Sequence, residues 1–205
     1  MRLHNAGKYN KDENSLPQRE HPEGSVQFRE PGSMKKFAVL MTILSLVIFA
    51  IAFGLYLWRF LSWIRGQEDW IYAITPFKSF LPLLLFILSL IPHEILHAVW
   101  FKEDVYYYRN LSQGMLFVVG TEDMPKGRFI AMSMCPNIIF GFIPFLLFMI
   151  WPNLSILGFF GAVSISAGAG DFFNVFNCLT QVPEGGIVYL SGMHSYWYMP
   201  KELQQ

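Results

Sequence analysis

Charged residues are scarce in this chain of 205 residues, because Asp, Glu, Lys and Arg together make up only 15% of it. A soluble domain usually carries about 25% charged residues. Hydrophobic residues make up 53% of the sequence, and its mean hydropathy is +0.35. The formal net charge is zero, so no general attraction to nucleic acid is expected. The composition therefore predicts a membrane protein that does not bind nucleic acid.

Cysteine is almost absent as well. Cys135 and Cys178 both fall in apolar segments and do not form a CxxC pair. This disfavours a small secreted protein held together by disulfides. We expect both residues to be reduced and buried.

Four apolar stretches are long enough to suggest membrane spans, which require roughly 20 apolar residues in a helix. They comprise residues 37–57, 80–101, 129–151 and 154–179. An A-x-A pattern in the first stretch also fits a signal peptide, but the apolar run continues to Trp58 and favours an uncleaved anchor. We therefore predict an all-α polytopic membrane protein with about four transmembrane helices.

The remaining segments are expected to lie outside the membrane. Residues 1–33 mix both charge signs with Pro, Gly, Asn and Gln, which predicts a disordered cytoplasmic tail. Translation from Met34 is an alternative, because MKKFAVL is typical of a membrane-protein start. Residues 34–180 form the predicted transmembrane domain, and residues 181–205 form a cytoplasmic C-terminal tail.

Basic residues indicate the orientation. Seven Lys or Arg residues precede the first span, three follow it, four follow the second span and one lies in the C-terminal tail. The positive-inside rule then places both termini and residues 101–128 in the cytoplasm of a multi-pass protein of the cell membrane.

Two of these cytoplasmic segments contain short β-prone runs. In residues 101–128, VYYYR and MLFVV flank NLSQG, which is similar to a hairpin connection, and a second strand pair is expected around SGMHS in the tail. Such small hairpin-like loops could hold an extended peptide by strand addition. The alternative is a pair of amphipathic loops that lie on the bilayer.

The sequence PHEILHAVWF, at positions 92–101, places three ionisable residues at the end of the second apolar stretch. Such residues are costly within a span, and a functional role is the first hypothesis. His93 and His97 are four residues apart and share one helical face, where both can bind one metal ion. Glu94 can then act as general base, as in H-E-x-x-H zinc sites. The alternative is a histidine pair that caps the helix end and contacts headgroups or loop carbonyls.

A catalytic zinc usually has three protein ligands and an open position. Asp171 is the only charged residue between positions 129 and 179. It follows a ridge of small residues that recur every four positions and allow another helix to approach closely. These are Gly158, Ala162, Ser166 and Gly170. We therefore predict Asp171 as the third ligand, with a helix-end aspartate bonded to a backbone amide as the alternative, and His194 as a weaker candidate ligand.

Other residues of the spans provide weaker evidence for a functional role. Asn137 and Asn174 are possible partners of the metal ligands or of the substrate backbone, and ordinary interhelical hydrogen bonds are an equal alternative. Pro136 and Pro144 indicate where the third span could flex. His4 and His21 lie in the predicted tail and are expected to play no part in the site.

HEILH in the second span, Pro-Asn in the third and Gly-Asp in the fourth give the chain a family resemblance. It resembles the bacterial membrane family described as "putative zincin peptidase", which is distantly similar to the site-2 protease intramembrane metallopeptidases. The resemblance covers about residues 70–200. In site-2 proteases two motif histidines and an aspartate from a later helix bind zinc, and the motif glutamate activates water. The resemblance implies these roles for His93, His97, Asp171 and Glu94.

These observations together predict a membrane-embedded zinc metalloprotease that hydrolyses peptide bonds in or next to the membrane. Glu94 would be the general base, and zinc-activated water the nucleophile. The expected partners are membrane lipid and a membrane-associated peptide or protein substrate. One alternative is a non-enzymatic metalloprotein or pseudoprotease scaffold, which would tolerate Glu94→Gln. A metal transporter is a further alternative, disfavoured because the spans offer few other carboxylates.

Overall fold

The computed structural model describes residues 1–66, 76–110 and 115–201. Its α-helices are α1 (Met34–Ile64), α2 (Pro76–Ala98), α3 (Lys126–Pro136), α4 (Ile143–Ile150), α5 (Ser155–Ala167) and α6 (Ala169–Gln181). A π-helix, Asn137–Phe142, joins α3 to α4. The strands are β1 (Arg2–Lys8), β2 (Val26–Gln27), β3 (Asp104–Asn110), β4 (Met115–Val119), β5 (Met124–Pro125), β6 (Ile187–Ser191) and β7 (His194–Tyr198).

The expectation of an all-α fold is wrong. The chain is 59% helical over its described parts, and seven strands form two sheets there. One sheet has the order β1-β3-β4, and the other has the order β2-β7-β6-β5. The physical reason is that the β-prone loops do not remain isolated hairpins. Each pairs with a further strand from the first thirty residues, which satisfies more backbone hydrogen bonds.

The two predicted hairpins themselves are confirmed. Strands β3 and β4 are antiparallel, with Asn110 opposite Met115, while residues 111–114 of their connection lie outside the described residues. Strands β6 and β7 are also antiparallel, with Ser191 opposite His194. Gly192 in their turn has a φ of +62°, a conformation that glycine adopts readily.

Residues 1–33 form ordered structure where the composition predicts disorder. Strand β1 pairs in parallel with β3, and β2 pairs antiparallel with β7. Tyr9, Leu16 and Phe28 are buried, and the Phe28 amide donates to the carbonyl of Ser195 at 2.9 Å. The average composition of residues 1–33 is polar, so it does not show that three widely spaced apolar side chains are buried. The ordering of this segment therefore depends on distant parts of the chain.

The two histidines of this segment also have partners. The Nε2 atom of His4 lies 2.8 Å from Asp104 Oδ1, and the Nδ1 atom of His21 lies 2.9 Å from the Tyr189 hydroxyl. Both histidines therefore link the N-terminal segment to a sheet.

The chain divides into two compact units. The sheet unit comprises Met1–Glu30, Ile91–Cys135 and Phe172–Gln205, and the helical unit comprises Pro31–Leu90 and Pro136–Asp171. The core of the sheet unit is an apolar cluster built from helix ends, strands and the N-terminal segment. Its buried members are Phe28, Ala98, Phe101, Val105, Met124, Phe129, Met132, Cys178, Val182 and Val188.

In the helical unit, α5 packs against α1, α4 and the π-helix. Close approach depends on glycine, because a Cβ at Gly158 would overlap the Phe148 ring. Ala162 is fully buried, and the Ser166 carbonyl accepts a hydrogen bond from Ser45 Oγ at 2.8 Å. Three positions of the predicted small-residue ridge therefore lie in helix contacts, whereas a Cβ at Gly170 would meet open space.

Three helical segments of the described chain are long and apolar enough to cross a membrane: Lys35–Ile64, Phe80–Ala98 and Lys126–Ile150. Most of the first is exposed, with Ile43, Leu46 and Ile51 more than half exposed, as expected for a helix in lipid. The pair Pro152–Ala167 and Ala169–Gln181 is bent by 52° and counts as a fourth span only if its halves cross together. These lengths and compositions suggest membrane association.

A candidate metal centre on α2

The last two turns of α2 bring His93, Glu94 and His97 together in the sheet unit. His97 is buried, with 8% of its surface exposed, and the other two are half-buried. One possible ligand atom of each residue lies within 4.8 Å of the others. The predicted clustering of these three side chains is therefore present in the structure.

The spacing of the two imidazoles fits a shared metal ion. Their Nε2 atoms lie 3.2 Å apart, and the ring planes are inclined by 75°. Two nitrogens that each bind one tetrahedral zinc at 2.0–2.1 Å are roughly 3.3 Å apart. His93 and His97 could thus hold a zinc ion with almost no rearrangement.

A backbone carbonyl holds the His97 ring from its other side. The Nδ1 atom of His97 lies 3.0 Å from the carbonyl oxygen of Met132 in α3. A carbonyl oxygen only accepts hydrogen bonds, so Nδ1 carries the hydrogen and Nε2 keeps its lone pair. This is the tautomer that a zinc ligand requires, and such a hydrogen bond commonly orients metal-binding histidines.

A partly buried ion pair fixes the chain where it leaves α2. The Glu122 carboxylate accepts hydrogen bonds from the backbone amides of Lys102 and Glu103, each at 2.7 Å. It also pairs with Arg128, whose guanidinium donates to the Trp100 carbonyl. The sequence motifs do not predict a role for Glu122 or Arg128. Their opposite charges on either side of β5 are the signal that could have revealed them.

Asn137 and Asp171, two of the predicted site residues, meet in the helical unit. Asn137 is fully buried at the start of the π-helix, and its Nδ2 atom donates to Asp171 Oδ2 at 2.7 Å. Gly168, which follows α5, permits this contact, because a Cβ there would overlap Asn137 Oδ1. Asp171 lies in the first turn of α6, and Asn174 is half-buried one turn later. Because Asp171 and the two histidines belong to different units, its role as third ligand stays a prediction.

His194, the weaker candidate ligand, contacts carboxylates instead. Its Nδ1 atom lies 2.6 Å from Glu30 Oε2, and its Nε2 atom lies 3.9 Å from Glu13 Oε2. It is not part of the group of possible metal ligands found among the described residues. His194 therefore connects β7 to the N-terminal segment.

A protein-family model described as "Putative zincin peptidase" matches residues 86–187 of this chain. The chain belongs to this family. The match includes the α2 motif, Met132, Asn137, Asp171 and Asn174. Membership implies zinc as the metal and suggests metallopeptidase activity, which agrees with the imidazole spacing. No curated protein and no solved structure matches the chain.

Proposed function

We propose that this protein is a membrane-embedded zinc metallopeptidase that hydrolyses peptide bonds in or next to the membrane. The observation that carries the proposal is the pair of imidazoles 3.2 Å apart, with Glu94 in the same cluster. A direct histidine–histidine hydrogen bond would also give this distance. Membership of the zincin peptidase family favours a shared metal ion.

Three side chains would hold the ion: His93 and His97 through Nε2, and Asp171 through one carboxylate oxygen. Asn137 Nδ2 donates to Asp171 Oδ2, and we propose that this bond orients the carboxylate, as partners of metal ligands commonly do. Asn174, one turn beyond Asp171, is a candidate contact for the ligands or the substrate backbone. A bound zinc supplies a positive charge that polarises a peptide carbonyl and lowers the pKa of water.

Glu94 is the proton carrier in this proposal. Its carboxylate would accept a proton from a water molecule as that water attacks the peptide carbonyl. The same carboxyl group would then donate the proton to the leaving amine nitrogen. Its position one residue after His93 keeps it beside the metal ligands throughout both transfers.

The substrate is proposed to be a membrane-associated peptide or protein, and membrane lipid surrounds the enzyme. The exposed apolar surface of α1 and the two other candidate spans support this location. A helical substrate would have to unwind locally, because the carbonyls of a helix are already hydrogen-bonded. The distribution of basic residues favours cytoplasmic termini.

The number of zinc ions per chain tests the metal centre. We would measure it in detergent-purified wild type and in the variants His93→Ala, His97→Ala and Asp171→Ala. The expected result is close to one zinc in wild type and loss in all three variants. Loss in the histidine variants alone would remove Asp171 from the site. A folded wild type that binds no zinc would refute the proposed function.

A second measurement tests catalysis by Glu94. Glu94→Gln should keep its zinc, while cleavage of a membrane-associated peptide falls about 10²–10⁴-fold, the usual contribution of a general base. Glu103→Gln is the matched control, because this exposed glutamate lies just beyond α2. Unchanged cleavage in Glu94→Gln would contradict its role. A zinc-loaded wild type without peptidase activity would favour the non-enzymatic metalloprotein.

A further inference from the structure

Pro136 is a proline within continuous helical backbone. It is fully buried, ends α3 and has a helical φ of −64° and ψ of −39°. The chain continues from it directly into the π-helix. A proline inside a helix removes one hydrogen bond and costs about 3 kcal/mol or more. Such a cost calls for a compensating role in the structure.

The missing hydrogen bond is the one to Met132. In an α-helix the amide of residue 136 would donate to the carbonyl of residue 132, and proline has no amide hydrogen. Met132 is buried, and a buried carbonyl rarely lacks a donor. The structure supplies the donor from another helix, because His97 Nδ1 lies 3.0 Å from this oxygen.

We propose that Pro136 is a positioning residue for His97. By removing the amide that would otherwise donate to the Met132 carbonyl, Pro136 reserves this oxygen for the His97 Nδ1–H group. The ring is thereby held in the orientation and tautomer in which Nε2 faces His93. The role of this arrangement in zinc binding rests on the proposed function. The replacement of a backbone amide by His97 as the donor to the Met132 carbonyl does not rest on it.

The opposing interpretation is that Pro136 only fills space in the protein interior. Pro82 provides a matched comparison, because it is also fully buried and lies beyond the first turn of α2. Pro82→Ala removes the same ring atoms and restores the same kind of amide hydrogen eleven residues before His93. Pro136→Val provides a second comparison, because it restores the amide hydrogen while keeping more side-chain volume than Pro136→Ala.

The experiment uses full-length protein in detergent with ¹⁵N-labelled histidine. The ¹⁵N chemical shifts of metal-free protein report which nitrogen of His97 carries the hydrogen, with His97→Ala identifying its signals. We expect hydrogen on Nδ1 in wild type and Pro82→Ala, and a shift towards Nε2 in Pro136→Ala and Pro136→Val. Zinc affinity, measured by competition with a chelator, should fall about 10–100-fold in both Pro136 variants and remain unchanged in Pro82→Ala.

The outcomes separate this proposal from the proposed function. A wild-type tautomer in folded Pro136→Ala or Pro136→Val would overturn the positioning role, and so would an equal loss of zinc affinity in Pro82→Ala. A wild type that binds no zinc, with a tautomer change confined to the Pro136 variants, would support the positioning role and refute the peptidase. The His97 tautomer thus tests the positioning role even in a protein without peptidase activity.

Discussion

The contact between Gly168 and Asn137 leads to the most specific test of the helical unit. A Cβ at Gly168 would overlap Asn137 Oδ1 and also lie too close to the rest of that amide. Because this Cβ would lie only 1.7 Å from Oδ1, movements of a few tenths of an ångström cannot relieve the overlap. Gly168→Ala should therefore displace the amide that donates to Asp171.

The size of the effect follows from the interactions that are lost. Overpacking a well-packed interior typically costs about 1–3 kcal/mol of stability. A hydrogen bond to a charged group contributes about 1.5–3 kcal/mol, and loss of a partner that orients a metal ligand lowers metal affinity about 10–100-fold. We expect Gly168→Ala to lower the unfolding temperature and to weaken zinc binding within this range.

Gly170→Ala is the matched control, two residues further along the same bend. A Cβ at Gly170 would meet nothing within 4 Å, and alanine in a helix is about 0.5–1 kcal/mol more favourable than glycine. This control should keep its zinc affinity and gain a little stability in thermal unfolding. Zinc affinity in folded Gly168→Ala equal to that of the control would refute the orientation of Asp171 by Asn137.

Two further predictions concern the N-terminal segment. Phe28→Ala should lower the free energy of unfolding by about 3–5 kcal/mol, because this ring is buried, whereas exposed Val26→Ala should change it little; equal effects in thermal unfolding would mean that the segment is not anchored. The hydrogen bond from His4 holds the pKa of the Asp104 carboxyl below its ordinary value of 3.8. The stability that this interaction contributes is therefore present above pH 3.8 and is lost as the pH falls through the lowered pKa of Asp104. The hydrogen-exchange protection of β1 should fall over this pH range in wild type but not in Asp104→Asn. The same pH dependence in both proteins would contradict a link between the charge of Asp104 and the anchoring of β1.

The sequence predicts the elements of this fold whose determinants are local. Long apolar runs predict α1 and α2, and short β-prone runs predict the β3–β4 and β6–β7 hairpins. The pairing of β1 with β3 joins residues about a hundred positions apart, such as Arg2 and Asp104. Composition within residues 1–33 contains no information about such partners, so the segment resembles a disordered tail.

The same distinction applies to the candidate site. His93, Glu94 and His97 are adjacent in one helix, so their clustering follows from helical spacing alone. The partner of His97 is a backbone carbonyl, which no side-chain motif can reveal. A proline four residues after Met132, within an apolar run, is nevertheless a sequence signal that this carbonyl lacks its usual helical donor. Asn137 could be identified as polar within a span, but its glycine neighbour depends on the bend between α5 and α6.

The strand pairing requires the chain to cross a membrane an even number of times between any two paired strands. Open sheets do not form within the hydrocarbon region, so paired strands must lie on the same side of it. Between β1 and β3 the chain contains α1 and α2, which satisfies this requirement if both cross. Between β5 and β6 it contains the α3–α4 segment and the bent α5–α6 pair. If the α3–α4 segment crosses once, the bent pair must also cross.

Otherwise a single crossing would separate β5 from β6, although these strands pair. An even number of crossings also brings β2 and β7, near opposite ends of the chain, to one side, as their pairing requires. Accessibility reporters at the two termini should consequently be reached from the same face of the membrane.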